Sequence, residues 1–421
     1  MVTEIISIGD ELLIGQVINT NAAHIAEALT VKGYDIHWIT TVKDTSDHIK
    51  HALDIANSRA DVVIATGGLG PTQDDRTKQV LVNYFGGKLI FDTNHFTHIK
   101  EFFRTRNMPM LESNRQQAYI PDSAEKLPNQ IGTAAGMLFK TKSTWFFFLP
   151  GVPFEMMNMI RNEIIPRLQK DFLAKAKVQK TVLTFGIGES FLAEKIADIE
   201  AGLPPHVELA YLPSPQRVRL RLTVTGDEPD RLQAELNTYV EKIKSRIPDL
   251  VFGEDDQTME AVVGELLKRK NMTLACAESC SGGEIAHRIT SVPGSSAYFL
   301  GSIVAYANDV KTNLLQVNQE IINQKGAVSE AVAKQMAENA RIILNADVAI
   351  ATTGVAGPGG GTVEKPVGTV WIAIALPQNT IAVKKSFGSD RQRNTIRSVY
   401  HALNMLRLEL LKIKTKKTLK D

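Results

Sequence analysis

Short apolar runs alternate along this chain with stretches whose apolar residues recur every three or four positions. TEIISIG, DIHWITTV and DVVIAT read as strands. Between them, 21–31 places Ile25, Ala28 and Leu29, and 45–57 places Ile49, Leu53 and Ala56, on helical spacing. DVVIAT is apolar almost throughout, as a parallel strand covered on both faces should be. A further strand, STWFFFL, ends in PGVP, and 155–168 is again helical. Strand–helix repeats at this spacing predict βαβ units and a doubly wound sheet over residues 1–170.

The texture changes over 176–252. KTVLTFGIG and RVRLRLTVTG read as strands, the second alternating Arg217, Arg219 and Arg221 with apolar residues, so one face is wet. That face is a solvated sheet surface or one that touches a partner. With helices over 190–199 and 230–247, this is a small α+β (KH-like) middle domain, broken by the turn-rich stretch LPPHVELAYLPSPQ. Over 256–421 the strand–helix alternation returns. A helix carries Met259, Val262, Val263, Leu266 and Leu267, a face suited to an intrachain core or a homodimer seam. TLACAE, AYFLGSIVAYA, ADVAIATTG and VGTVWIAIAL follow as strands, and a long helix closes the chain, giving a C-terminal α/β domain.

A length of 421 residues suits these three domains. Lysine and arginine total 48 against 46 acidic residues, a formal charge of +2. The final ten residues hold five lysines and one aspartate, +4, which leaves −2 for the body. A body so charged has no electrostatic footprint for duplex DNA, and direct nucleic-acid binding is not expected. Two cysteines exclude a disulfide scaffold, the N-terminus carries acidic residues in place of a basic leader, and the apolar runs are too short to span a bilayer. The expectation is a cytoplasmic protein with no membrane partner.

The first candidate for chemistry is ATGGLGPTQDDRT at 65–77, directly after an apolar strand. Ligands of open α/β sheets bind at the carboxyl ends of strands, and glycines there let backbone N–H groups approach an anion. Asp74 and Asp75 would repel a bare phosphate, a conflict that a divalent cation resolves. Asp10, Glu11 and Asp44 follow the first two strands and are expected on the same rim, with Pro150 and Gly151 at its edge.

GDELLIGQVINTN, TGGLGPTQDD and PGVPFEM resemble the molybdopterin-binding-type domain of the CinA (competence- and damage-inducible) family. In this branch the resemblance implies a metal-dependent pyrophosphatase acting on ADP-ribose. Carried across, Asp10, Asp44, Asp74 and Asp75 would hold the divalent metal ion. Gly67, Gly68, Gly70, Thr72, Pro150, Gly151 and Glu155 would form the phosphate site.

The second candidate is AESCSGG at 277–283, where small residues occupy a strand-to-helix turn. Such a turn exposes a serine hydroxyl and directs backbone N–H groups at a developing oxyanion. His287, about two turns along the following helix, is poorly placed to activate Ser279. Tyr306 and Lys311 follow another strand. A lysine there is either an exposed helix-start residue or, if burial destabilises its ammonium, a base for serine. The glycine-rich loop at 351–371 is suited to wrap a ligand.

AESCSGG, GSIVAYANDVK, KGAVSE, TGVAGPGGG, KPVGTVW and FGSDR together are similar to the C-terminal CinA domain, a nicotinamide mononucleotide deamidase. The resemblance implies Ser279 as nucleophile, Lys311 as general base and Tyr306 assisting. It puts Thr353, Arg391, Gly282, Gly283 and Gly357 at substrate-binding positions. No cofactor is implied for the deamidase. Cys280 and Ser281 remain competing nucleophiles on chemistry alone, whereas Cys276 reads as a buried strand residue. The alternatives are a pterin-binding first domain without catalysis and, as the family's name suggests, an interaction protein of competence or recombination.

Overall fold

The computed structural model describes residues 1–70, 77–214 and 217–413. It is a mixed α/β chain that divides into two compact units, 1–179 with 224–235, and 180–223 with 236–421.

The first unit is built on a six-stranded sheet. Its strands are β1 (Thr3–Ile8), β2 (Ile36–Val42), β3 (Val62–Thr66), β6 (Glu125–Leu127), β7 (Gly136–Lys140) and β8 (Trp145–Leu149), in the order β2-β1-β3-β8-β7-β6. The short strands β4 (Leu89–Phe91) and β5 (Tyr119–Pro121) pair separately. Strands β2, β1, β3 and β8 are parallel, and the antiparallel β7 and β6 close one edge. Every residue of β1 and β3 is buried, as expected of central strands with helices on both faces. Two apolar clusters lie on the two faces. One gathers Ile6, Ile8, Leu53 and Phe148, and the other Ile5, Ile25, Leu29 and Phe147. Alternation along each strand therefore feeds both layers. The helix expected over 155–168 runs instead from Pro153 to Asp171 through a π-helical turn, Ile160–Ile164. Pro166, which has no N–H to donate, lies two residues past the end of that turn.

In the middle segment, β9 (Ala176–Phe185), β10 (Val207–Ser214), β11 (Arg217–Gly226) and β12 (Val251–Glu254) form a sheet ordered β10-β11-β9-β12. The stretch expected to be a turn-rich break contains β10. Its described prolines, Pro204, Pro205 and Pro213, lie before or near the end of the strand, so they punctuate it without interrupting its interior. Along β11 the alternation is as expected: Val218, Leu220 and Leu222 are buried, while Arg219 and Arg221 are exposed.

The second unit's other sheet has β13 (Leu274–Glu278), β14 (Phe299–Val304), β15 (Val348–Gly354), β16 (Thr369–Ala375) and β17 (Thr380–Ser386) in the order β14-β13-β15-β16-β17. Strands β14, β13 and β15 are parallel, and β16 and β17 add antiparallel. One core joins Met259, Val263 and Leu267 to Leu403 and Leu406 of the closing helix, and takes in Leu183, Phe185 and Phe252 from the middle segment. The apolar face at 259–267 is thus spent within the chain. No described helix is long and apolar enough to cross a membrane.

Candidate functional site

The serine turn begins where β13 runs out. Glu278 ends that strand fully buried, and its carboxylate faces the start of the helix Glu284–Thr290. Oε2 accepts from the N–H groups of Gly283 (3.0 Å) and Ile285 (3.1 Å) and from Ser281 Oγ (2.8 Å). Oε1 accepts from Ala286 N–H (2.9 Å) and Ser302 Oγ (3.2 Å). A negative charge here satisfies helix-start donors and complements the helix dipole. Ser281 is further tied to Thr352 Oγ1 at 2.6 Å. The hydroxyl of this possible second nucleophile is therefore a strut of the turn.

The backbone on either side is equally fixed. Ser279 N–H donates to Thr352 O at 3.0 Å, and Gly282 N–H donates to Ser279 O at 3.1 Å. Of the 279–283 amides, those of Cys280 and Ser281 alone lack a partner among the described residues, so they are the two available to an oxyanion. Gly282 and Gly283, expected at the substrate, do not line the cavity at this turn. At φ 63° and 99° they reverse the chain, and the Gly283 amide is held by Glu278.

That cavity, about 280 Å³, is lined by Ser279, Cys280, Tyr306, Asn308, Lys311, Thr353, Gly357 and Arg391, with Ala327, Val328 and the 354–360 loop completing its wall. It lies at the carboxyl ends of β13 and β15. Lys311, in a short helix Asn308–Asn313, is only 2% exposed. Its Nζ donates to the carbonyls of Ala305 (2.8 Å) and Tyr306 (3.2 Å), and no carboxylate pairs with it among the described residues. Burial, the main cause, pulls its ammonium below the ordinary lysine range. The exposed-lysine alternative is thereby set aside. Cys280 goes the other way: burial pushes its thiol up to about 12, which disfavours the thiolate a cysteine nucleophile requires. Cys276 is fully buried in β13.

Arg391 stands at the first turn of the closing helix Arg391–Lys412. It donates to Gly357 O (2.8 Å) and to the phenol oxygen of the exposed Tyr306 (2.7 Å), so the 357 loop, the tyrosine and the arginine form one rim. Thr353 Oγ1 donates to Ala327 O at 2.9 Å, tying two walls together.

In the first unit a cavity of about 400 Å³ opens at the carboxyl ends of β1, β3 and β8. Gly67, Gly68, Gly70 and Gly151 line it, together with Glu11, Ser7, Asn19 and Asn21. A Cβ on Gly67 would lie 2.1 Å from Ile8 O, and one on Gly68 2.1 Å from Thr77 Oγ1; both residues have positive φ. Only glycine lets the backbone pass there. Asn21 Nδ2 donates to Gly151 O (2.7 Å), and Thr66 Oγ1 donates to Pro150 O (2.9 Å), which fixes the PGVP edge against β3. Four expected residues are not at this wall. Pro150 is buried and does not line the cavity. Asp10 is exposed in the short helix Asp10–Leu13 and Glu11 takes the lining position, one residue along the turn. Asp44 is half-buried beyond β2 and does not line the cavity. Glu155 accepts from Asn129 Nδ2 at 2.7 Å, which turns it toward the 129–134 loop. Thr72, Asp74 and Asp75 lie outside the described residues. Among the described residues no three potential metal donors gather, so the described donor set alone does not constitute a metal site.

Sequence reasoning passed over Glu278, Thr352, Asn308, Asn19 and Asn21. Glu278 alone had a visible signal, a charged residue closing the apolar strand LACAE.

Residues 4–170 match the family described as a probable molybdopterin binding domain, residues 179–253 the damage-inducible protein CinA KH domain, and residues 256–410 the CinA C-terminal domain. The class is thus a molybdopterin-binding-type α/β domain followed by a KH-like domain and a CinA C-terminal domain. A CinA-like protein of Flavobacterium psychrophilum is 44% identical over 98% of this chain and 99% of its own length. A putative competence-damage inducible protein of Caldicellulosiruptor bescii is 39% identical over 98% of this chain and 100% of its own. The crystal structure of the competence/damage inducible protein CihA from Agrobacterium tumefaciens is 38% identical over 36% of this chain and 96% of that chain, with a TM-score of 0.34. The chain belongs to the CinA family.

Proposed function

We propose that the Ser279 cavity hydrolyses the carboxamide of nicotinamide mononucleotide to nicotinate mononucleotide and ammonia. The observation that carries this reading is Lys311, a buried lysine without a carboxylate partner in the same cavity as Ser279. A neutral Lys311 takes the Ser279 proton as Oγ attacks the carboxamide carbon. The amides of Cys280 and Ser281 receive the developing oxyanion. The lysine then returns its proton to the departing ammonia, and water releases the acyl group from Ser279. Tyr306 and Arg391, joined at the rim, are assigned to binding the substrate, with the guanidinium toward its phosphate. Mass-resolved turnover of nicotinamide mononucleotide is the test. Ser279→Ala should abolish the nicotinate product, while Cys280→Ala should retain it. Product formation surviving Ser279→Ala would end the assignment.

For the first unit we propose hydrolysis of ADP-ribose at the glycine-lined cavity, with a divalent metal ion that the Asp74 and Asp75 carboxylates would hold. Support comes from the backbone cradle at Gly67 and Gly68, which no side chain could share. Asp75→Ala should lower metal-dependent ADP-ribose cleavage by about 10²-fold or more and leave the deamidase untouched. An unchanged rate would remove Asp75 from the site. We assign small nucleotides as the partners and a cytoplasmic setting, and keep the homodimer as part of this proposal.

A further inference from the structure

A third cavity, about 500 Å³, lies within the second unit and shares no lining residue with the Ser279 cavity. Three cations converge on it from separate elements: Arg217 at the start of β11, Lys385 near the end of β17, and Arg397 in the closing helix. All three are half-buried. None has an ion pair or side-chain hydrogen bond among the described residues. The lining offers them one carboxylate, Glu189, in the first turn of the helix Glu189–Ala201. Elsewhere in this unit Lys244 is matched by Glu241 and Glu254, and Arg288 by Glu284 and Glu260.

Three unmatched positive charges around one concavity repel one another, and partial burial strengthens that repulsion. The field of Lys385 and Arg397 reaches His401, which lines the same cavity beside the rings of Phe185 and Phe387. Burial first, then Lys385 and Arg397, lower its pKa to about 4, so the histidine adds no charge near neutral pH. The opposite wall is the Gly186-Ile187-Gly188 turn between β9 and the Glu189 helix. Cβ atoms at Gly186 and Gly188 would meet no backbone within 4 Å, so these glycines leave room at the cavity wall.

We propose that this cavity is a binding site for the phosphate or pyrophosphate group of a small ligand, held by Arg217, Lys385 and Arg397. An anion with two or more charges relieves the repulsion that this cluster otherwise carries, and guanidinium forks suit phosphate oxygens. A volume of about 500 Å³ is of the size that takes a small ligand. This proposal does not depend on the deamidase or pyrophosphatase readings.

The test uses the full chain and inorganic pyrophosphate, with the number of bound pyrophosphates and their affinities measured by equilibrium dialysis. In Lys385→Gln/Arg397→Gln, one class of site should weaken at least tenfold, and any pyrophosphate bound elsewhere on the chain should be unaffected. Should that variant fold poorly, Ser386→Glu, on the exposed rim of the same cavity, should weaken the same class of site by placing a negative charge there. Unchanged stoichiometry and affinity in a folded variant would overturn the proposal. So would a single-stranded oligonucleotide that binds with the same dependence on Lys385 and Arg397 while pyrophosphate does not.

Discussion

Replacing Lys311 with alanine is expected to lower the turnover of nicotinamide mononucleotide by about 10²–10⁴-fold, the range that a positioned general base contributes. ADP-ribose cleavage should remain. Lys311→Arg should be as inactive, because a guanidinium keeps its proton and cannot act as the base. In the unaltered protein, turnover should rise with pH and level off below about 10.4, the ordinary lysine value, because burial lowers the Lys311 pKa. The same shift has a stability consequence. Between the lowered folded value and the ordinary one, the unfolded chain binds a proton that the folded chain does not, so stability increases with pH across that window. Below it, the folded protein carries a buried ammonium whose partners among the described residues are two carbonyls. Lys311→Met should therefore be inactive yet more stable at low pH, by on the order of 1 kcal/mol. A pH profile that levels off at the ordinary lysine value, or a Lys311→Arg enzyme with full activity, would rule out the general-base role.

Glu278→Ala is expected to be the most damaging single change to the second unit. It removes the acceptor for five donors at once: three helix-start amides and the hydroxyls of Ser281 and Ser302. Hydrogen bonds to a charged group contribute about 1.5–3 kcal/mol each, and the losses are not additive, so a cost of at least ~3 kcal/mol is expected. It should be read as a lower urea midpoint for the second unit. Glu278→Gln keeps the shape but replaces one acceptor oxygen with a donor facing Ala286 N–H and Ser302 Oγ, or Gly283 and Ile285 N–H. It should fold, with kcat reduced more than KM is raised, because the turn carrying Ser279 loses its register while the rim at Tyr306 and Arg391 stays. A Glu278→Gln enzyme with unchanged kcat would show that the carboxylate serves folding alone.

Strand and helix periodicities were legible because both sheets bury their central strands on two faces, and burial writes uninterrupted apolar runs such as DVVIAT and LACAE. The strand Val207–Ser214 was hidden because its segment is half-exposed and bounded by prolines, so the same composition serves a turn or a sheet. The motif residues were legible too: small residues after a strand mark a turn whatever they contact. Sequence order does not reveal which charges meet. Lys311 reads as a helix-start lysine until the fold buries it against the carbonyls of Ala305 and Tyr306. Glu278 reads as one more acid until its carboxylate is closed into the helix start.

The sequence by itself determined the α/β alternation, the order of the domains and the glycine and serine turns, because these depend on local periodicity and backbone freedom. Only the tertiary structure decided which side chains share a cavity. It set Glu11 in place of Asp10 at the first unit's wall, turned Glu155 away to Asn129, and joined Arg391 to Tyr306 across 85 residues. Such pairings depend on how strands order in the sheet and how deeply each charge is buried, and neither is encoded within a window of neighbouring residues.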